Sequence, residues 1–200
     1  MLQPRYLLHT GEGDRFGEAV HHIDVYAFDS LGIYRKMFRD KGAHLKNGYR
    51  MPIDLPEGKW TFLCLGGKVG DYEIGIFKTG IPQQFSPAVS PGITTLSDFR
   101  VKAYFEQKEN LEYSLGELFF GRLDSVEITA DNGGTGVVDL MKNTNKIEVR
   151  VKGIADGSSA RITSDNGRFN SENVTPADAG TIIYVPYYSC LLYTSPSPRD

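Results

Sequence analysis

The sequence predicts an all-β chain of sandwich architecture. Three observations carry that expectation. Apolar and polar residues alternate with period two over many short segments, as in GYRMPIDLP and KIEVRVKG. The chain holds 22 glycines, 11 tyrosines and 11 phenylalanines, a composition that suits strands and tight turns. Turn sequences (DSLG, LPEG, DNGG, DNG) separate the alternating runs at short intervals.

The strands follow in chain order. They are expected at 5–10, 22–29, 33–38, 59–65, 72–78, 125–130, 159–163 and 181–187. GYRMPIDLP places Tyr49, Met51, Ile53 and Leu55 on one face and Arg50, Pro52 and Asp54 on the other. Proline has no N–H for a ladder, so Pro52 marks an edge position or a site whose N–H would point outward. KIEVRVKG places Ile147, Val149 and Val151 opposite Glu148, Arg150 and Lys152. Both read as half-buried strands with one wet face. Residues 77–94 are rich in Pro and Gly and read as a long surface connection that cannot hold a central strand. Helix, if present, is short and confined to 94–109 or 110–121, where an irregular crossover is the alternative.

At 200 residues the chain can bury a core without disulfide staples. Its net charge of −3 leaves no electrostatic footprint for nucleic acid. The scattered basic residues do not imply an anionic membrane surface, and no apolar run is long enough for a transmembrane helix. No signal peptide is visible at the start. The two cysteines, Cys64 and Cys190, form no metal or redox spacing, and Cys64 in TFLCLGG reads as a buried small hydrophobe.

Chemistry-bearing residues do not converge. His21 and His22 follow Glu18 without an HExxH pattern, and in a strand their imidazoles point to opposite faces. His9 and His44 are isolated. GEGDRFG (11–17) and LGGKVG (65–70) lack the phosphate-cradle pattern and read as loops. DNGGTG (131–136) and SDNGRFNSEN (164–173) contain oxygen ligands but not EF-hand spacing, so turns are expected. Glu106 and Glu109 read as a solvated face, and no GxSxG is present. Trp60 alternates with Phe62 and Cys64 and is expected in the core rather than on a sugar platform. No catalytic, cofactor-binding or metal-binding residue is assigned, no cofactor is expected, and the chain reads as non-enzymatic.

Five segments, in order and spacing, resemble the FimB-like anchor and accessory subunits of Bacteroides-type (type V) fimbriae. They are RYLLHTGEGDRFGEAVHHIDVYAFDSLGIY, YRMPIDLPEGKWTFLCLGG, LFFGRLDSVEIT, VDLMKNTNKIEVRVKG and ITSDNGRFNSEN. The resemblance implies tandem transthyretin-like β-sandwich domains. It also implies an outer-membrane lipoprotein whose N-terminal lipid anchor lies upstream of this fragment. Its role would be to anchor or regulate a polymer of fimbrillin subunits, with partners joined by strand addition. The expected organisation is a first sandwich over 1–131, an incomplete second one over 132–189, and a non-native tail over 190–200. That tail, CLLYTSPSPRD, resembles a translated sequencing adaptor. A surface glycan-binding sandwich, with two or three exposed aromatics, is the alternative. A hydrolase on a sandwich would need convergent carboxylates or histidines.

Overall fold

The computed structural model describes residues 1–7, 13–78, 84–103, 115–131, 133–144, 162–177, 179 and 182–184. The described elements are β1 (Leu2–Tyr6), α1 (Phe16–Ala19), β2 (His22–Phe28), β3 (Tyr34–Lys41), β4 (Gly58–Gly67), a 3-10 turn at Val69–Asp71, β5 (Tyr72–Lys78), β6 (Gln84–Ser86), β7 (Phe99–Ala103), β8 (Leu118–Ile128), β9 (Gly136–Lys142), β10 (Ile162–Ser164), β11 (Arg168–Asn170) and β12 (Ile182–Tyr184).

Two sheets form the sandwich expected from the sequence. One has six strands in the order β1-β9-β8-β4-β2-β3, and the other four in the order β11-β7-β5-β6. A separate pair, β10 and β12, is antiparallel. Tyr26, Phe28, Leu63, Leu65, Phe99, Val101, Leu118 and Phe120 pack between the two sheets. The rings of Tyr26 and Phe28 meet Phe99 edge-on at 5.2 and 5.9 Å. Such contacts add to the burial of the rings themselves.

The six-stranded sheet is buried on its other face as well. There Ile23, Val25, Ala27, Trp60, Phe62 and Cys64 pack under Phe16, Val20, Leu45 and Met51. The cover is α1 and the irregular chain over 42–57 rather than a third sheet. This explains why β2 and β4 read as near-continuous apolar runs, VYAF and FLCL: a strand covered on both sides cannot alternate. The strand expected at GYRMPIDLP belongs to this cover. Its exposure does alternate, with Tyr49, Met51, Ile53 and Leu55 turned inward. It makes only one bridge, Met51 to Leu2, and no ladder.

The strand at 72–78 is found with those bounds, and those near 22–29, 33–38, 59–65 and 125–130 are found with shifted ends. In the described part of 94–109, where a short helix or an irregular crossover was expected, Phe99–Ala103 is instead strand β7, with Phe99 and Val101 buried and Arg100 and Lys102 half-exposed, a period of two. Residues 118–121 likewise open strand β8 rather than a helix. Residues 104–109, 110–114 and the alternating segment 147–151 lie outside the described residues. The Pro-rich connection after β5 carries β6, which sits at the margin of its sheet, the place proline allows. β9, C-terminal to the boundary expected at 131, hydrogen-bonds between β8 and β1 within the six-stranded sheet.

Candidate interaction surface

The chemistry-bearing residues are structural where the structure describes them. His21 is exposed in the bend before β2, while His22 places Nε2 2.9 Å from Asp24 Oδ1. Asp24 is fully buried and also accepts two hydrogen bonds from Arg39, from Nε at 2.7 Å and Nη2 at 2.6 Å. This bidentate pair joins β2 to β3 at directly opposed positions. Among the described residues no group of three His, Cys, Asp or Glu side chains is placed to hold a metal. His9, Glu106 and Glu109 lie outside the described residues.

Residues 13–17, the described part of GEGDRFG, are held by side-chain hydrogen bonds. Asp14 Oδ1 accepts the N–H groups of Tyr6 and Phe16, both at 2.9 Å, and α1 starts at Phe16, which is buried. LGGKVG ends β4 and enters the 3-10 turn, with Gly67 at φ +91° and its Cα so close to the Glu117 carbonyl that a Cβ would stand 2.3 Å away. DNGGTG is a turn, with Gly133 and Gly134 at φ +57° and +64°.

Trp60 is a core residue. It is 6% exposed, and its indole N–H donates to the Pro56 carbonyl at 3.1 Å. Cys64 is a buried free thiol, and burial pushes its pKa up, so it is protonated and unreactive at neutral pH. None of the described aromatic side chains is exposed. The row of exposed aromatics that a sugar platform requires is therefore absent from the described residues.

Two carboxylates around β3 organise the loops beside it. Asp29 is partly buried, which opposes ionisation. The Ile33 N–H, the Arg35 guanidinium and the Leu31 N–H together hold its pKa below the ordinary value. Asp40 accepts a short hydrogen bond from the Tyr49 hydroxyl and is also bonded to His44 and the Lys41 N–H. Tyr49 is the largest cause of its lowered pKa. Between β3 and the 52–57 segment lies an open cleft of about 520 Å³. Arg35, Lys36 and Asp54 border it, with Leu55, Pro56 and Trp60 as its apolar wall.

The edges of the six-stranded sheet differ sharply. In β1 the outward backbone groups belong to Leu2, Pro4 and Tyr6. Leu2 exchanges hydrogen bonds with Met51 in both directions, at 2.9 and 2.8 Å. Tyr6 donates to Asp14 and accepts from Arg15 N–H at 2.9 Å. Pro4, between the two crossings, has no N–H to offer. This edge is closed.

The β3 edge is occupied only at its start. Tyr34 donates to the Thr94 carbonyl and accepts from Gly92 N–H, both at 2.8 Å. Gly42 N–H donates inward to His21, and the antiparallel register pairs His22 with Lys41. Ladder bonds to β2 therefore come from residues 36, 38 and 40, and the backbone groups of Met37, Arg39 and Lys41 point outward. Lys41 N–H turns to Asp40 Oδ1 at 2.7 Å. The N–H and C=O of Met37 and Arg39 have no hydrogen-bond partner among the described residues. The other two outer strands, β6 and β11, are three residues each.

The comparisons find known proteins of this fold. The model of the fimbrillin-A associated anchor proteins Mfa1 and Mfa2 matches residues 1–192. The chain belongs to this family. Among solved structures, a candidate adhesin from Bacteroides ovatus is 25% identical with a TM-score of 0.69, covering 94% of this chain and 62% of its own. A candidate polysaccharide-binding protein from Bacteroides thetaiotaomicron is 19% identical, also at TM-score 0.69, covering 94% of this chain and 64% of its own. The fimbrial anchor protein Mfa2 from Porphyromonas gingivalis is 16% identical with a TM-score of 0.60, covering 94% and 73%. The chain thus spans less than two thirds of the length of the first two. No curated protein matches the sequence. This Mfa2-family chain shares its fold with the candidate adhesin from Bacteroides ovatus.

Proposed function

We propose that the protein is a non-enzymatic anchor or accessory subunit that attaches or regulates a fimbrillin polymer at the outer membrane. The observation that carries this reading is the family match over residues 1–192. The free backbone edge of β3 supports it, because strand addition needs unpaired N–H and C=O groups in a row. In this reading the protein sits at the cell surface, held by a lipid on a cysteine upstream of the present sequence. A second sandwich unit follows the first. β9 lies in the six-stranded sheet and β11 pairs with β7 in the four-stranded one, so the stretch expected as an incomplete second unit over 132–189 lends two strands to the first sandwich.

The test is deletion of the intact gene in its source strain. Loss of an anchor releases fimbriae into the medium or changes their length, as seen by electron microscopy of cells and supernatant. Fimbriae of unchanged length, retention and number would rule the reading out.

A glycan-binding surface protein is the second reading. The name of the Bacteroides thetaiotaomicron structure favours it. The coverage of every described aromatic side chain counts against it. Glycan-array binding by the full-length protein, with fimbriae unaffected by the deletion, would reverse the order of the two.

A further inference from the structure

We propose that β3 is the strand to which the partner adds, and that the added segment carries acidic side chains at positions opposite Lys36, Arg39 and Lys41. This rests on the strand-addition reading above and specifies its site.

The backbone argument comes first. Met37 and Arg39 present two N–H and two C=O groups at the spacing of a ladder, and Lys41 adds a further carbonyl. The edge is stiff. The Asp24–Arg39 pair fixes its middle, and the 92–94 chain fixes its start. Rigid donors and acceptors lose little entropy when a strand docks. The hydrogen bonds of Tyr34 to 92–94 also block further pairing, so an added strand must begin beyond Tyr34.

The side chains then state the partner's chemistry. β3 reads YRKMFRDK: four cations and one anion, a local charge of 4 − 1 = +3 in a chain whose net charge is −3. Asp29, Asp54 and Asp24 bind Arg35, Lys36 and Arg39 from the protein side, yet the three cationic side chains keep exposures of 45%, 45% and 52%. Lys41 has no ion-pair partner among the described residues and is exposed. Cross-strand neighbours of opposite charge stabilise pairing, and like charges oppose it. A second copy of this strand would set cation against cation, so the edge rejects its own kind and accepts an acidic one. Half-buried Met37 and Phe38, on opposite faces, call for apolar neighbours at the positions between the acids.

The experiment uses the full 200-residue chain and two ten-residue Val-based peptides, one placing Glu opposite residues 36, 39 and 41 and Val opposite 37, 38 and 40, the other with Lys in place of each Glu. Backbone NMR and hydrogen exchange report the site. The Glu/Val peptide should shift and protect the Met37 and Arg39 amides, and the Lys/Val peptide should not. Met37→Pro removes an outward N–H without touching the β2 ladder, and should weaken the acidic peptide about tenfold. Lys41→Glu should weaken it while leaving the thermal melt unchanged. Absence of protection at Met37 and Arg39, equal binding of both peptides, or a β3-to-β3 homodimer would overturn the proposal. Binding of fimbrillin purified from the source cells is measured in parallel. Fimbrillin bound equally by wild type and both variants would place strand addition elsewhere and refute the β3 site. Acidic-peptide docking at β3 without any fimbrillin binding would keep the site and refute the fimbrial partner.

Discussion

The two edges of the six-stranded sheet solve one problem in opposite ways. At β1 every outward N–H is used or deleted. Met51 takes Leu2, the Asp14–Arg15 chain takes Tyr6, and Pro4 has nothing to donate. At β3 the equivalent groups of Met37 and Arg39 are left open, and the strand is protected by charge instead. A closed edge excludes every strand. A charged edge excludes only strands of the wrong charge. The difference teaches where selectivity resides: β1 is a boundary of the fold, and β3 is a surface with a preference.

The largest expected effect tests what holds β3 in place. Arg39→Ala leaves the fully buried Asp24 carboxylate without its bidentate partner, with only His22 beside it. Because Arg39 is half exposed and partly screened, the cost falls below that of a fully buried pair, at about 2–4 kcal/mol. Urea denaturation should show that loss. A loss under about 1 kcal/mol would mean that solvent reaches Asp24 and that the pair does not lock β3 to β2. On the opposite edge, Met51→Ala removes a side chain that is 2% exposed and part of the chain closing β1. The expected loss is about 2–4 kcal/mol, mostly from the cavity. Faster exchange of the Leu2 amide in this variant, with Tyr6 unchanged, would show that the two crossings close β1 independently.

Much of this contrast was legible in the sequence, and the illegible part has a physical cause. Alternation located the inward set Tyr49, Met51, Ile53 and Leu55 correctly, because burial of a face is local information. It could not tell a laddered strand from an extended segment laid over a sheet, because that depends on which backbone groups find partners. The same limit applies to β7. FRVKA alternates over only five residues, too few to stand out from the scattered apolar residues of 94–109. Trp60 and Cys64 were readable as core, since both lie in the run TFLCL and its flank. The open edge was not readable. Nothing in YRKMFRDK says whether it is central or marginal until the order β4-β2-β3 is known. Its charge was visible all along and needed that order to acquire meaning.

A smaller effect separates the two covers by pH. Asp40, on β3, is held below its ordinary pKa chiefly by the Tyr49 hydroxyl, and it ties down the loop that carries Leu45 into the core. For a carboxyl of depressed pKa, the stabilisation is complete above the unfolded value of about 3.9. It is lost as pH falls through the folded value. Asp29 shifts in the same direction, with burial opposing its hydrogen bonds. Tyr49 moves the other way: burial first, then Asp40, raises its pKa. Its contribution is complete below about 10 and fades as pH rises above that. The urea midpoint should therefore be flat around neutrality and fall below about pH 4. In Asp40→Asn the acid fall should be shallower. An identical acid profile in that variant would remove Asp40 from the account.

The smallest effect makes the sharpest statement about β1. Pro4→Ala restores an outward N–H in the middle of the closed edge at a buried position and should cost about 1 kcal/mol. The new amide should exchange quickly, since no acceptor stands between the crossings at Leu2 and Tyr6. If those crossings close the edge, the variant stays monomeric and ignores both peptides, because one N–H between two occupied positions cannot seat a strand. If it dimerises or takes up a peptide, then proline itself, and not the Met51 and Asp14–Arg15 chains, is what closes β1. In that case the two edges differ by a single donor, and the acidic preference of β3 would have to be measured again with β1 as its competitor.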